Sequence, residues 1–189
     1  MIYHKSQAPG NFSHMKGRSF MNAFDTMTAR RSVREYSQKK VEEEKLDIIL
    51  SAARCAPTAA NLQPVRLIAV REKEGLERIG KAANIYGAPL AIIACADTAR
   101  AWKRPCDGKS TSDIDAAILT CHMMIAAASL GLGSVWICWF DPAVVRVEFN
   151  IPDSLEPVNI LAVGYPKCDT PLPPTPRIPM NELVHYGKF

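Results

Sequence analysis

Three arginines within five residues, Arg30, Arg31 and Arg34, flank Ser32. An arginine offers a planar fork of N–H donors and a serine adds a hydroxyl, so the group has the makings of a phosphate clamp. A solvated basic surface is the plain alternative. A second stretch, Ala56-Pro57-Thr58-Ala59-Ala60-Asn61-Leu62-Gln63-Pro64, sets small residues between prolines. Such a chain lets its backbone approach a flat ligand, while Thr58, Asn61 and Gln63 present donors and acceptors to the ligand's edge; an ordinary connecting loop reads the same way. A third candidate is Arg177, held in the stiff run Thr175-Pro176-Arg177-Ile178-Pro179, where a surface charge is the simpler reading.

Other apparent signals carry less. Cys121 and His122 are neighbours on one helix, about 100° apart, and cannot pair as nucleophile and base. The histidines (His4, His14, His122, His185) have no metal-ligand spacing with each other or with the cysteines, so no metal site is expected. Gly131-Leu132-Gly133 fails as a dinucleotide fingerprint, because Trp136 stands where a third glycine is needed and the glycines follow a helix.

The elements that must position these residues follow from periodicity. Met21–Arg31 has helical spacing, with Phe24, Met27 and Thr28 on one face. Glu42, Glu43 and Glu44 suit the positive end of a helix carrying Leu46, Ile49, Leu50 and Ala53, stopped by Pro57. Val65–Arg71 reads as a strand and Glu72–Ala83 as a short helix. Leu90–Ala96, apolar throughout, suits a strand buried on both faces. Residues 97–111 form a loop. Asp113–Leu130 is a helix apolar nearly all round, read as buried in the core or an interface rather than as a membrane span, since it holds Asp115, Thr120, His122 and Ser129. Ser134–Phe140 is a strand, Asp141–Phe149 a helix opened by an Asp cap and a proline, and Pro157–Gly164 a last buried strand. The tail from Tyr165 has Pro166, Pro171, Pro173, Pro174, Pro176 and Pro179, and should run extended over a surface. Helices precede an alternation of strands and helices, which points to an α+β or mixed three-layer class.

At 189 residues the chain suits one domain, 21–189, preceded by a polar arm, 1–20. A net charge of +4 does not argue for nucleic acid, and no membrane partner is expected. Six cysteines without a C-x-x-C pair favour a reducing, cytoplasmic compartment, and residues 1–20 lack the apolar run of a signal peptide.

In this order, Arg30-Arg31-Ser32-Val33-Arg34-Glu35-Tyr36, the Pro57–Pro64 loop, Gly131-Leu132-Gly133-Ser134, Ala162-Val163-Gly164-Tyr165-Pro166, and Arg177 ahead of Glu182-Leu183-Val184-His185-Tyr186 resemble the nitroreductase superfamily over residues 21–186. The resemblance implies an α+β, three-layer α/β/α fold with a central, mostly antiparallel sheet, in an intertwined homodimer with the long helix at its interface. It implies bound FMN, NAD(P)H as reductant, and an oxidoreductase passing reducing equivalents through flavin N5 to a small organic acceptor such as a nitroaromatic or quinone. A dimeric flavin-binding protein without turnover is the alternative.

By the same resemblance Arg30, Ser32 and Arg177 hold the phosphate and ribityl chain, Arg31 acts through its backbone, and Arg34 lies near the pyrimidine edge. Pro57, Thr58, Ala59 and Asn61 come from the partner subunit, and Ile137, Cys138 and Trp139 face the ring. No side chain is needed as an acid or base, because the cofactor carries the chemistry. Three departures stand out: Thr175 where a lysine is common, Cys138-Trp139 where Glu-Gly is common, and a short 97–111 region in place of a helical lid.

Overall fold

A computed structural model describes residues 22–168, 173 and 175–189; the arm 1–20 lies outside them. Four strands, β1 (Val65–Val70), β2 (Leu90–Asp97), β3 (Gly133–Ile137) and β4 (Leu155–Gly164), form one sheet in the order β1-β2-β4-β3. Every neighbouring pair is antiparallel. The central strands, β2 along nearly its whole length and β4 from Asn159 onward, are buried on both faces, which is why Leu90–Ala96 and Ile160–Gly164 read as unbroken apolar runs. Opposite Cys95 the register shifts, where β4 carries Pro157, a residue with no N–H for the ladder.

Alternation along the strands feeds two cores. Ile93, Ile160, Ala162, Val135 and Ile137 pack with residues from α3 (Lys73–Gly80) and α5 (Pro142–Glu148). Leu90, Ile92, Leu161 and Val163 pack with Leu46 and Ile49 of α2 (Glu43–Arg54) and Leu119, Met123 and Ala127 of α4 (Ser112–Ser129). The result is three layers, α/β/α, as the resemblance implies. The short α1 (Ala23–Ala29) is capped by Asn22, whose side chain accepts the Asp25 N–H. The last helical turn is α6 (Met180–Leu183).

Two boundaries fall three residues short of the sequence reading. β3 ends at Ile137, not Phe140, because the chain turns away to open α5, with the Asp141 carboxylate accepting the Ala143 and Val144 N–H groups. Cys138 and Trp139 therefore lie in the connection. α3 stops at Gly80, a poor helix residue, with Ala82 and Ala83 still bonded back to Ile79. The Phe24–Met27 face of α1 points outward, the two side chains being 72% and 52% exposed.

Candidate functional site

The arginine-rich segment is laid along the outer edge of β3. Ser32 bridges Ser134 in parallel, and the Val33 N–H donates to the Ser134 carbonyl at 3.0 Å. Two facing glycines make room for it. Gly133 and Gly164 are register partners on β3 and β4. A Cβ at Gly133 would sit 2.5 Å from Val33 Cγ2, and one at Gly164 would sit 2.6 Å from Pro89 Cδ and 3.0 Å from Tyr36 Cδ1. Val33 and Tyr36 thus bury themselves over a groove that only glycine leaves open, and Ser32 and Arg34, between and beside them, are turned out. The Tyr36 hydroxyl donates to the Val33 carbonyl at 2.8 Å, and burial pushes its pKa above the ordinary range.

Beside this segment opens a cleft of about 880 Å³ lined by Arg30, Arg31, Ser32, Arg34, Lys39 and Lys167, with Glu35 as its one carboxylate among the described residues. Its size falls within the range of cofactor sites. Arg31 is already committed: its guanidinium donates to the carbonyls of Thr28, Arg30 and Pro173. Among the described residues no carboxylate pairs with Arg30 or Arg34, whereas Lys167 meets Glu35 at 3.8 Å and Lys39 meets Glu42 at 3.0 Å. The end of α4 also borders the cleft, and its negative pole would oppose an anion. Lys45 offsets this, its Nζ donating to the Leu130 carbonyl at 2.9 Å and to the Tyr165 hydroxyl at 2.7 Å. Tyr165 in turn donates to Glu42 at 2.7 Å, and that bond, with a backbone bond and Lys39, holds the Glu42 carboxyl down at about 2.

The Pro57–Pro64 stretch lies at the other end of α4. A 3₁₀ turn, Ala59–Asn61, follows Thr58. Ala60, Asn61 and Gln63 all have φ near +50°, a left-handed conformation that costs a residue with a Cβ and is kept only where surrounding bonds impose it. The bonds are present. The Thr58 hydroxyl accepts the Gln63 N–H at 3.0 Å, and the buried Asp115 carboxylate accepts the Ala59 N–H at 2.9 Å and the Thr111 hydroxyl at 3.2 Å. Sixteen residues separate Asp115, which holds this loop, from Gly131, which lines the arginine cleft. At the helical rise that is about 24 Å.

Of the residues singled out by sequence, Arg30, Arg31, Ser32 and Arg34 therefore share one cleft. Pro57, Thr58, Ala59 and Asn61 stand together at the far end of the same helix. Ile137 ends β3, about 13 Å along the strand from Gly133, and Cys138 and Trp139 follow it in the connection, with Ile137 buried and Trp139 96% exposed. Arg177 is exposed and donates to the carbonyl of its neighbour Pro176; it does not line the arginine cleft. The sequence reading missed Lys39, Lys45, Glu42 and Tyr165, which become a network only through tertiary contact. It also missed Asp115, whose signal was a carboxylate set in the first turn of an apolar helix. No group of His, Cys, Asp and Glu that could hold a metal occurs among the described residues, and no described helix is long and apolar enough to cross a membrane.

Comparison with known proteins agrees with this architecture. A nitroreductase family protein from Clostridium difficile 630 is 49% identical, with a TM-score of 0.86, over 89% of this chain and 100% of its own. An FMN-dependent nitroreductase from Clostridium difficile R20291 is 28% identical with a TM-score of 0.71, over 88% of this chain and 99% of its own. Among curated proteins, the FMN reductase [NAD(P)H] of Bacillus subtilis (strain 168) is 29% identical over 183 residues, 87% of this chain and 73% of its own. The Nitroreductase family profile matches residues 27–85 and 80–165. With the glycine-seated arginine segment and the four-stranded antiparallel sheet, these matches place the chain in the nitroreductase family.

Proposed function

We propose that the protein is an FMN-dependent oxidoreductase that takes two electrons from NAD(P)H and delivers them to a small organic acceptor. The cofactor and reductant are those named for the Clostridium difficile R20291 and Bacillus subtilis relatives. The arginine cleft fits the flavin phosphate: among the described residues it is rich in donors and holds a single carboxylate, and it is large enough for a cofactor. When bound, FMN supplies the redox chemistry, and the chain supplies binding, orientation and electrostatics.

Arg30 and Ser32 hold the phosphate by charge-assisted and hydroxyl bonds. Arg34, on the same cleft, would supply a cation beside the ring, a charge that favours electron uptake by a bound flavin. β3 is an edge strand, so beyond Ser134 its outward N–H and C=O groups are available to ring heteroatoms. Cys138 and Trp139, exposed just beyond the end of that edge, would border the ring, and Trp139 would shape the space left for an acceptor.

One observation carries the assembly. The strained, tightly bonded Thr58–Gln63 loop is too far from the arginine cleft of its own chain to share one planar ligand with it. A second copy, packed on α4 and on the outward Phe24 and Met27, brings its Pro57, Thr58, Ala59 and Asn61 to the ring. The exposed apolar tail (Ile178, Met180, Leu183, Tyr186) is then available to wrap that copy and carry Arg177 toward the phosphate. The test is a visible spectrum of the purified protein with its mass in solution, followed by anaerobic titration with NADH and NADPH and reoxidation by a quinone or nitroaromatic. A flavin-bearing dimer that is reduced and reoxidised is expected; a colourless monomer overturns the reading. A flavin dimer that no acceptor reoxidises leaves a binding protein without turnover.

A further inference from the structure

A second cleft, of about 300 Å³, opens where α2 ends against the start of β1, and its lining includes Arg54, Arg66, Arg100, Thr58 and Gln63. No carboxylate lines it, and none pairs with any of the three arginines among the described residues. Two of them are fastened to the Thr58–Gln63 loop from behind. Arg66 Nη1 donates to the carbonyls of Gln63 and Val65 at 3.0 and 2.9 Å, and Arg100 Nε donates to the Leu62 carbonyl at 2.9 Å. These bonds use one nitrogen of each fork and orient the rest, while Arg54 makes no described side-chain bond. Three guanidiniums collected without a counter-charge repel one another, and the arrangement is relieved by an anion that accepts from more than one fork.

We propose that this cleft is the docking site for a phosphate of the nicotinamide dinucleotide. This rests on the function proposed above, because the same loop that Arg66 and Arg100 hold is the one assigned to the flavin. A reductant whose phosphate lies in the cleft has its nicotinamide end directed along that loop. The pyrophosphate, common to NADH and NADPH, and the 2′-phosphate, present only in NADPH, offer the same chemistry.

The test uses Arg54→Gln and Arg100→Gln in the flavin-loaded protein, with Lys73→Gln as a control that removes an exposed charge elsewhere. Loss of one arginine–phosphate contact should raise the KM for the nucleotide about tenfold or more. A rise for both nucleotides assigns the pyrophosphate, and a rise for NADPH alone assigns the 2′-phosphate. Titration calorimetry with inorganic pyrophosphate gives a readout free of turnover: binding to the parent and the Lys73 variant, with loss in both arginine variants, is expected. Unchanged KM values and unchanged pyrophosphate binding in both arginine variants overturn the proposal. A parent protein that lacks flavin but still binds pyrophosphate through Arg54 and Arg100 overturns the oxidoreductase reading and leaves the anion site standing.

Discussion

Arg30 and Arg34 reach the cleft without a described carboxylate partner, whereas Arg31 is spent on three backbone carbonyls. That difference sets what each substitution does. Arg30→Ala removes a charge-assisted partner worth about 1.5–3 kcal/mol, so flavin retention should fall at least tenfold. Full flavin occupancy after exhaustive dialysis would contradict the assignment. Trp139 packs against almost nothing in the chain, so Trp139→Gly should alter unfolding free energy by no more than about 1 kcal/mol, the surface effect plus the flexibility of glycine. The same change should widen the range of acceptors. Equal relative rates with small and bulky acceptors before and after the change would remove Trp139 from the site.

At the scale of elements, the Gly133–Gly164 groove and the Glu42–Tyr165–Lys45 network decide how the arginine segment sits. Gly133→Ala drives a methyl into Val33, a core overlap that costs about 1–3 kcal/mol. Because the displaced segment carries the phosphate ligands, weaker flavin binding should accompany the lower stability; denaturant melts with and without added FMN separate the two effects. The network has a pH signature. The Glu42 pKa is depressed, so the stability it contributes is present above the ordinary carboxylate value of 4.5 and is lost as pH falls toward about 2. Tyr165→Phe removes the largest cause of that depression. Its Glu42 resonance should then titrate closer to 4.5 by NMR, and a midpoint unmoved from the parent's would show that the hydroxyl does not hold the carboxylate.

For the whole molecule, the arrangement along α4 places two halves of a candidate site at opposite ends of one helix, and the proposed dimer joins them. Flavin affinity should therefore depend on protein concentration, falling as dilution splits the dimer. Gel filtration with absorbance at flavin and protein wavelengths checks this: flavin that stays bound to a monomer would show that one chain completes the site.

The local chemistry was legible in the residues themselves. Glycine, proline and arginine act through backbone freedom, stiffness and a fixed donor fork, all properties of the residue alone, so the arginine segment, the Pro57–Pro64 loop and the buried strands could be named from their types and order. The apolar character of Leu90–Ala96 and Asp113–Leu130 likewise needed no coordinates. What folding alone decided was proximity. Lys45 lies 85 positions from the Leu130 carbonyl that it bonds, and Tyr165 lies 123 from Glu42; no spacing rule joins residues so far apart. The end of β3 at Ile137, the strain at Ala60, and the gathering of Arg54, Arg66 and Arg100 also depend on which distant groups satisfy each backbone bond and charge, and only the packed chain settles that.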